Sequence, residues 1–283
     1  MPVPGKSYVL LESRGLIGLA GEDARSFLQG LVSNDVKKVA AGRAVHAAFL
    51  TPQGKYLHDF FIIQDRDSSL VLDVEAARRE DLRKRLSMYK LRSRVEIADR
   101  STELVAVALP GGGMVGDFAY ADPRLALIGA RAVLPRDHAV RILEDAGFAA
   151  ATFAEYDKLR ISLGLADGSR DMVVDKALLL ENGFDEMGSV DWNKGCYLGQ
   201  ELTARTKYRG LIKKRLAPVS IDGRTPQPGD MITMDGEDAG EMRSAVGEIG
   251  LALLRIDCLT KSGAVFICGE ATLTPHKPDW MKF

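Results

Sequence analysis

The residues Lys194-Gly195-Cys196-Tyr197-Leu198-Gly199-Gln200-Glu201 run straight into Leu202-Thr203-Ala204-Arg205-Thr206-Lys207-Tyr208, with few apolar side chains to explain them. Gly195 and Gly199 permit tight turning and close backbone approach, and the segment from Gln200 onward has the composition to begin a helix. Cys196 is then expected at or just before a helix N-terminus, with Lys194 nearby. Both the helix dipole and a neighbouring cation lower a thiol pKa and increase thiolate character. Gln200, Glu201, Thr203 and Arg205 supply a dense set of donors and acceptors. A nucleophilic cysteine ordinarily works with a histidine base, but none is close in sequence. His46, His58, His138 and His276 are scattered, without metal-binding spacing. The residues alone leave three readings of Cys196 open: nucleophile, metal ligand, or small core residue.

The other candidate chemistries are weaker. Cys258 and Cys268 fall in predicted strands and read as small buried residues. No C-x-x-C occurs, so neither a structural zinc nor an all-cysteine iron–sulfur site can be assembled from this chain alone, and no resident metal is expected. Gly111, Gly113 and Gly116 match G-x-G-x-x-G, but Pro123 follows where a dinucleotide site needs a helix. That stretch reads as a loop. The segment 75–95 is basic, with Arg78, Arg79, Arg83, Lys84, Arg85, Lys90, Arg92 and Arg94 against Glu75, Glu80 and Asp81. It reads as a solvated helix face or as a docking surface for a polyanion such as nucleic acid or a folate polyglutamate tail. Without interleaved aromatic residues, stable nucleic-acid binding is not expected.

The elements that must carry these residues follow from periodicity. Ala24, Phe27, Leu28 and Leu31 form one helical stripe after the acidic Glu22 and Asp23. Residues 45–50, 56–64 and 69–74 read as strands joined by the turns at 51–55 and 65–68. A helix follows over 75–91, with Leu82, Leu86, Tyr89 and Leu91 facing inward. Two more strands and two more helices, ending near Gly164, complete a front portion with no regular βαβ alternation. That pattern predicts α+β with largely antiparallel sheets. After Gly210 short alternating strands and Gly, Pro and Asp turns predict a small all-β barrel. The expected division is 1–100, 101–209 and 210–283.

The 283 residues carry 46% hydrophobic and 27% charged residues and a net charge of −1, an ordinary globular composition with no global pull toward polyanions. Three unpatterned cysteines suit a reducing compartment. No apolar run approaches the roughly 18–20 residues that span a bilayer. A cytoplasmic protein without a membrane partner is expected.

The octapeptide around Cys196 closely resembles the K-G-C-Y-x-G-Q-E signature of the YgfZ family, folate-binding proteins of iron–sulfur cluster assembly and repair. The segments 27–36, 47–62, 89–97, 178–185 and 250–255 resemble the same family. It is similar in fold to the T-protein of the glycine cleavage system, a tetrahydrofolate-dependent aminomethyltransferase. The resemblance implies a three-lobed ring of two α+β lobes and a C-terminal β-barrel, with tetrahydrofolate in a central channel. It implies Cys196 as the functional thiol, aided by Lys194. It places Glu181, Asp59, Tyr197, Gln200, Glu201 and Arg205 at the cofactor, with Glu181 accepting from the pterin N–H groups. The partners implied are folate and iron–sulfur client or assembly proteins. The T-protein carries an acidic pair where this chain has His58-Asp59, and its counterpart of the octapeptide lacks the cysteine. Both departures turn the reading from aminomethyl transfer toward an accessory role in assembly, with one-carbon transfer or demethylation as the alternative.

Overall fold

The computed structural model describes residues 5–65, 67–116, 119–210, 212–261 and 263–282. Arg66 of the expected 65–68 turn, Asp117 and Phe118 after the glycine-rich loop, and Leu211 at the expected barrel boundary lie outside the described residues. The architecture is α+β, as the absence of βαβ alternation predicts.

The first sheet is fully antiparallel, in the order Val45–Leu50, Tyr56–Gln64, Leu70–Glu75, Arg14–Ala20, Glu96–Asp99. Its strands are rich in β-branched and aromatic residues, which suit a pleated, half-buried surface. Ile17, Leu19, Phe60, Ile62, Leu72 and Val74 share a core with Leu28 of the helix Ala24–Gln29 and with Leu82 and Leu86 of the helix Arg79–Lys90. Burying each of these large side chains contributes roughly 1.5–3 kcal/mol.

The helix Arg79–Lys90 departs from expectation at its end. Tyr89 and Leu91 do not face inward: they are 38% and 88% exposed. The helix stops at Lys90, and Leu91 takes φ 45° and ψ −109°, which breaks the 3.6-residue period and turns the leucine outward. Tyr89 meets Phe49 edge-on, at 5.9 Å between ring centroids.

The second sheet runs Ala149–Ala150, Ser7–Leu10, Leu104–Leu109, Ala130–Pro135, Ala119–Ala121, and only its outermost pair is parallel. The chain therefore begins in the second sheet and enters the first at Arg14. The strand Ala119–Ala121 stands where a dinucleotide fingerprint would need a helix.

The barrel is closed, in the order Lys214–Asp222, Ile249–Arg255, Glu237–Val246, Met231–Met234, Phe266–Cys268, Ala271–Pro275, so it has no free edge. Cys258 and Cys268 are buried in its core, as expected, though Cys258 sits in the helical turn Ile256–Leu259 and not in a strand. The helix Phe153–Ser162, started by a Thr152–Glu155 capping box, joins the front to the barrel. Its buried Arg160 reaches Asp157 at 2.6 Å, Asp171 at 2.7 Å and Ser244 of the barrel at 2.9 Å.

Candidate functional site

Cys196 lies on a loop anchored on both sides. Asp191 Oδ1 accepts from the backbone N–H groups of Asn193 and Lys194 at 2.8 and 3.1 Å, closing a tight turn. Its other oxygen pairs with Lys38 at 2.5 Å. Lys194 then crosses to the end of the helix Ala24–Gln29, where its ammonium donates to the carbonyls of Gln29, Val32 and Asn34 at 2.8, 2.5 and 2.8 Å. A cation is favoured there because the last carbonyls of a helix lack backbone partners. Leu198 N–H donates to Gly30 O at 3.1 Å.

Gly199 closes the strap. With φ +80°, a Cβ built on it would lie 2.5 Å from Thr51 O and 3.0 Å from Gly54 Cα. Gly54, φ +76°, is equally crowded, by Gly199 O at 2.7 Å. The 51–55 turn and the Cys196 loop thus touch backbone to backbone. Between the anchors, Gly195 and Cys196 face solvent, and Cys196 is exposed while the other two thiols are buried.

Burial lowers the Lys194 pKa to about 8, with Asp35 and Asp191 opposing the shift. The structure directs this ammonium at three carbonyls and over the Tyr197 ring, 5.1 Å from its centroid. Tyr197 is buried, and burial pushes its hydroxyl up to about 12, with Thr203 opposing. Gln200 Oε1 accepts from Tyr197 N–H at 3.3 Å, joining the loop to the helix Gln200–Tyr208. Glu201 and Arg205 pair with each other at 2.5 Å on the exposed side of that helix. Cys196 itself lies three residues before the helix N-cap, Gly199.

Asp59 is far more enclosed. Its carboxylate accepts from the Tyr56 hydroxyl at 2.8 Å and meets His46 Nε2 at 3.1 Å, while His46 Nδ1 contacts Ser189 Oγ at 2.8 Å. Burial by itself would raise the Asp59 carboxyl, but the His46 contact, Arg14 and Tyr56 hold it well below the usual carboxylate range. Burial lowers the His46 pKa, with the Asp59 contact opposing; because a carboxylate only accepts, the His46 Nε2–H donates to Asp59. His58, next along the same strand, faces the opposite way and meets Asp81 at 2.9 Å, as strand alternation requires.

Asp59 borders an interlobe cavity of about 20 Å³, between the two sheets, together with Phe61, Arg14, Arg124, Arg131 and Tyr156. The three guanidinium carbons lie 5.9, 4.8 and 4.2 Å from the Phe61 centroid. Asp73 bridges Arg14 and Arg131 at 2.6 Å to each, and Asp122 holds Arg124 at 2.8 Å. Arg131 Nε is buried without an acceptor. The sequence reading names none of these arginines. Their signal is an isolated charge within an apolar strand, as with Arg14, Asp73 and Arg131.

Glu181 lies elsewhere again, on the turn Leu179–Asn182. Burial raises its carboxyl, opposed by the Lys213 and Lys214 backbone N–H groups and by the charges of Lys214 and Lys55. The carried-over residues therefore occupy three surroundings: the Cys196 loop and the helix it enters, the interlobe cavity, and the base of the barrel. Among the described residues no group of three or more His, Cys, Asp or Glu is placed to hold a metal ion, and no helix is long and apolar enough to cross a membrane.

Comparison with known proteins places this arrangement. A family model described as the GCVT N-terminal domain matches residues 11–113, and one described as the CAF17 C-terminal beta-barrel domain matches 213–283. The iron-sulfur cluster assembly factor IBA57 of Homo sapiens is 33% identical over 99% of this chain and 87% of its own length. That of Mus musculus is 32% identical over 95% of this chain and 84% of its own length. The chain belongs to the IBA57 family.

The relatives found thus carry the IBA57 name where the octapeptide pointed to YgfZ. They are also designated mitochondrial, and this overturns the expectation of a cytoplasmic protein. That expectation rested on unpaired cysteines and on the lack of a bilayer-spanning run, neither of which distinguishes one reducing compartment from another. In three dimensions the IBA57-family chain resembles the crystal structure of glycine cleavage system aminomethyltransferase T from Bartonella henselae, with TM-score 0.77 at 16% identity. The match covers 97% of this chain and 86% of that one. At that identity the likeness establishes the fold alone.

Proposed function

We propose that this chain serves the assembly or repair of iron–sulfur proteins through the Cys196 thiol, with a reduced folate as its ligand. The observation that carries the reading is the exposed Cys196 on a loop anchored at Asp191, Lys194, Leu198 and Gly199. A thiol on a fixed support meets a cluster or a partner sulfur without an ordering cost. The names of the IBA57 relatives support the assembly role, and the likeness of the octapeptide to YgfZ supports the folate. In this reading Lys194 positions the loop through its three carbonyls. The three units 1–100, 101–209 and 210–283 belong to the same proposal, supported by sheet membership, with Ser7–Leu10 crossing into the second sheet.

The interlobe cavity as it stands does not fit a folate: it holds about 20 Å³, the Phe61 ring is covered by Arg14, Arg124, Arg131 and His46, and the Asp59 carboxylate is taken by His46 and Tyr56. Folate when bound would supply one-carbon or redox chemistry. The alternative, one-carbon transfer, draws on Asp59 at the cavity wall. A carboxylate held well below its usual range by His46, Arg14 and Tyr56 is a weak base, so the geometry argues against Asp59 as the base of such a transfer.

Replacing the chain in cells by Cys196→Ala is expected to lower the activity of iron–sulfur enzymes as a deletion does, while tetrahydrofolate binding by calorimetry stays at the wild-type level. Full rescue by Cys196→Ala would remove the thiol from the proposal. Absence of heat on titrating tetrahydrofolate into the wild-type protein would remove the folate.

A further inference from the structure

The helix Arg79–Lys90 buries Leu82 and Leu86 but leaves Met88 66% and Leu91 88% exposed. Leu91 holds φ 45°, in a region where a residue with a branched side chain is strained and where glycine or asparagine ordinarily ends a helix. The strain has one visible result: a leucine side chain stands clear of its own protein. Beside it runs an open groove walled by Phe27 and Tyr89 and rimmed by Lys90 and Arg92.

The charge around this groove is one-sided. Its single carboxylate, Asp23, accepts from Arg94 N–H at 2.8 Å and lies 3.8 Å from the Arg94 guanidinium, which also pairs with Glu22. Further along the helix Arg79, Arg83 and Arg85 are matched by Asp99, Glu80 and Asp81. Among the described residues Lys90 and Arg92 have no ion pair. An apolar floor beside two unmatched cations complements an apolar segment flanked by carboxylates.

The groove also adjoins the Cys196 loop. Phe27 sits on the helix Ala24–Gln29, and the carbonyls at that helix's end, Gln29 O and Gly30 O, hold Lys194 and Leu198. Phe27 and Leu198 pack against the same core.

We infer that this groove docks an acidic, leucine-bearing segment of a partner protein and so brings that partner beside Cys196. The inference rests on the assembly reading of the chain, for which a docked client or assembly protein is required. The helix Arg79–Lys90 thereby acts as a recognition element, and its unmatched basic end selects against basic segments.

The test uses the full-length protein and a short fluorescein-labelled synthetic peptide alternating leucine and glutamate. Fluorescence anisotropy is expected to show binding that falls about tenfold or more when lysine replaces glutamate or serine replaces leucine. Leu91→Asp and Arg92→Glu are expected to weaken it by a similar factor while circular dichroism stays unchanged and the melting temperature does not fall, since both side chains are exposed. Cys196→Ser should bind as wild type. The same peptide carrying a cysteine activated with thionitrobenzoate should exchange with the Cys196 thiolate, releasing thionitrobenzoate, at a rate that saturates with peptide in the wild type and becomes linear in Leu91→Asp. No binding, equal binding of the lysine peptide, or binding indifferent to Leu91→Asp would overturn the inference. Self-association abolished by Leu91→Asp would also overturn it by making a second copy the occupant. A failure of the assembly reading shows separately, as iron–sulfur enzyme activity unchanged in cells lacking the chain, with peptide binding intact.

Discussion

His58 shows how much a single side chain's setting decides. It is buried, with Nε2 against Asp81, and burial, helped by Arg78 and opposed by Asp81, lowers its pKa to about 4. In the unfolded chain it titrates near its ordinary value of about 6.5. Between these two values the unfolded state binds more protons, so stability is full above about pH 6.5 and is lost as pH falls toward 4. The urea midpoint is expected to drop over that window. His58→Gln keeps a donor for Asp81 but does not titrate, and should show a smaller drop; equal drops would refute the assignment. The sequence makes the His58-Asp59 pair visible but not its two environments, because His46 and Asp81 reach it from other elements. Lys194 is a similar case. Its type and nearness to Cys196 suggest a helper of the thiol, whereas its three acceptors are carbonyls far away in sequence. Backbone acceptors leave no trace in residue identity.

At the scale of the element, the Cys196 loop and the 51–55 turn depend on the contact between Gly54 and Gly199. Gly199→Ala combines a positive φ with a methyl 2.5 Å from Thr51 O, and should destabilise the protein by about 2–4 kcal/mol in urea unfolding. Gly195→Ala, with nothing within 4 Å of the added carbon, should change stability by less than about 0.5 kcal/mol. Equal effects of the two would show that the contact is not formed. The octapeptide makes both glycines legible as places of tight turning. Which one is crowded is a property of the opposing turn, and no local spacing encodes it. The same limit applies to the helix Arg79–Lys90. Periodicity finds Leu82 and Leu86, but the reversal at Leu91 belongs to the backbone beyond the last turn.

Across the whole molecule, Arg160 ties the front portion to the barrel. It is buried, and its partners are Asp157, Asp171 and Ser244. Arg160→Met leaves Asp171 and Asp157 short of their shared cation, and should cost about 3–5 kcal/mol in chemical unfolding. Arg160→Lys keeps the charge but not the planar fork, and should fall between. A loss under about 1 kcal/mol in Arg160→Met would mean that the barrel is held by its other contacts, Arg215 with Leu180 O among them. The α+β front and the closed barrel are legible in the sequence because alternation and turn residues act locally. The core uniting Leu16, Tyr156 and Leu251 joins elements that no local pattern connects. The path of the first strand has a further consequence, for synthesis. Val9 pairs with Ala108, and Ser7 with Ala149. At usual translation rates the first strand therefore leaves the ribosome on the order of ten seconds before its last neighbour exists. Until residue 109 is made Tyr8 and Val9, buried in the finished protein, have no strand partner, and from then until residue 150 one edge of their strand stays open. The second sheet therefore gains its parallel edge pair only after residue 150 has been made.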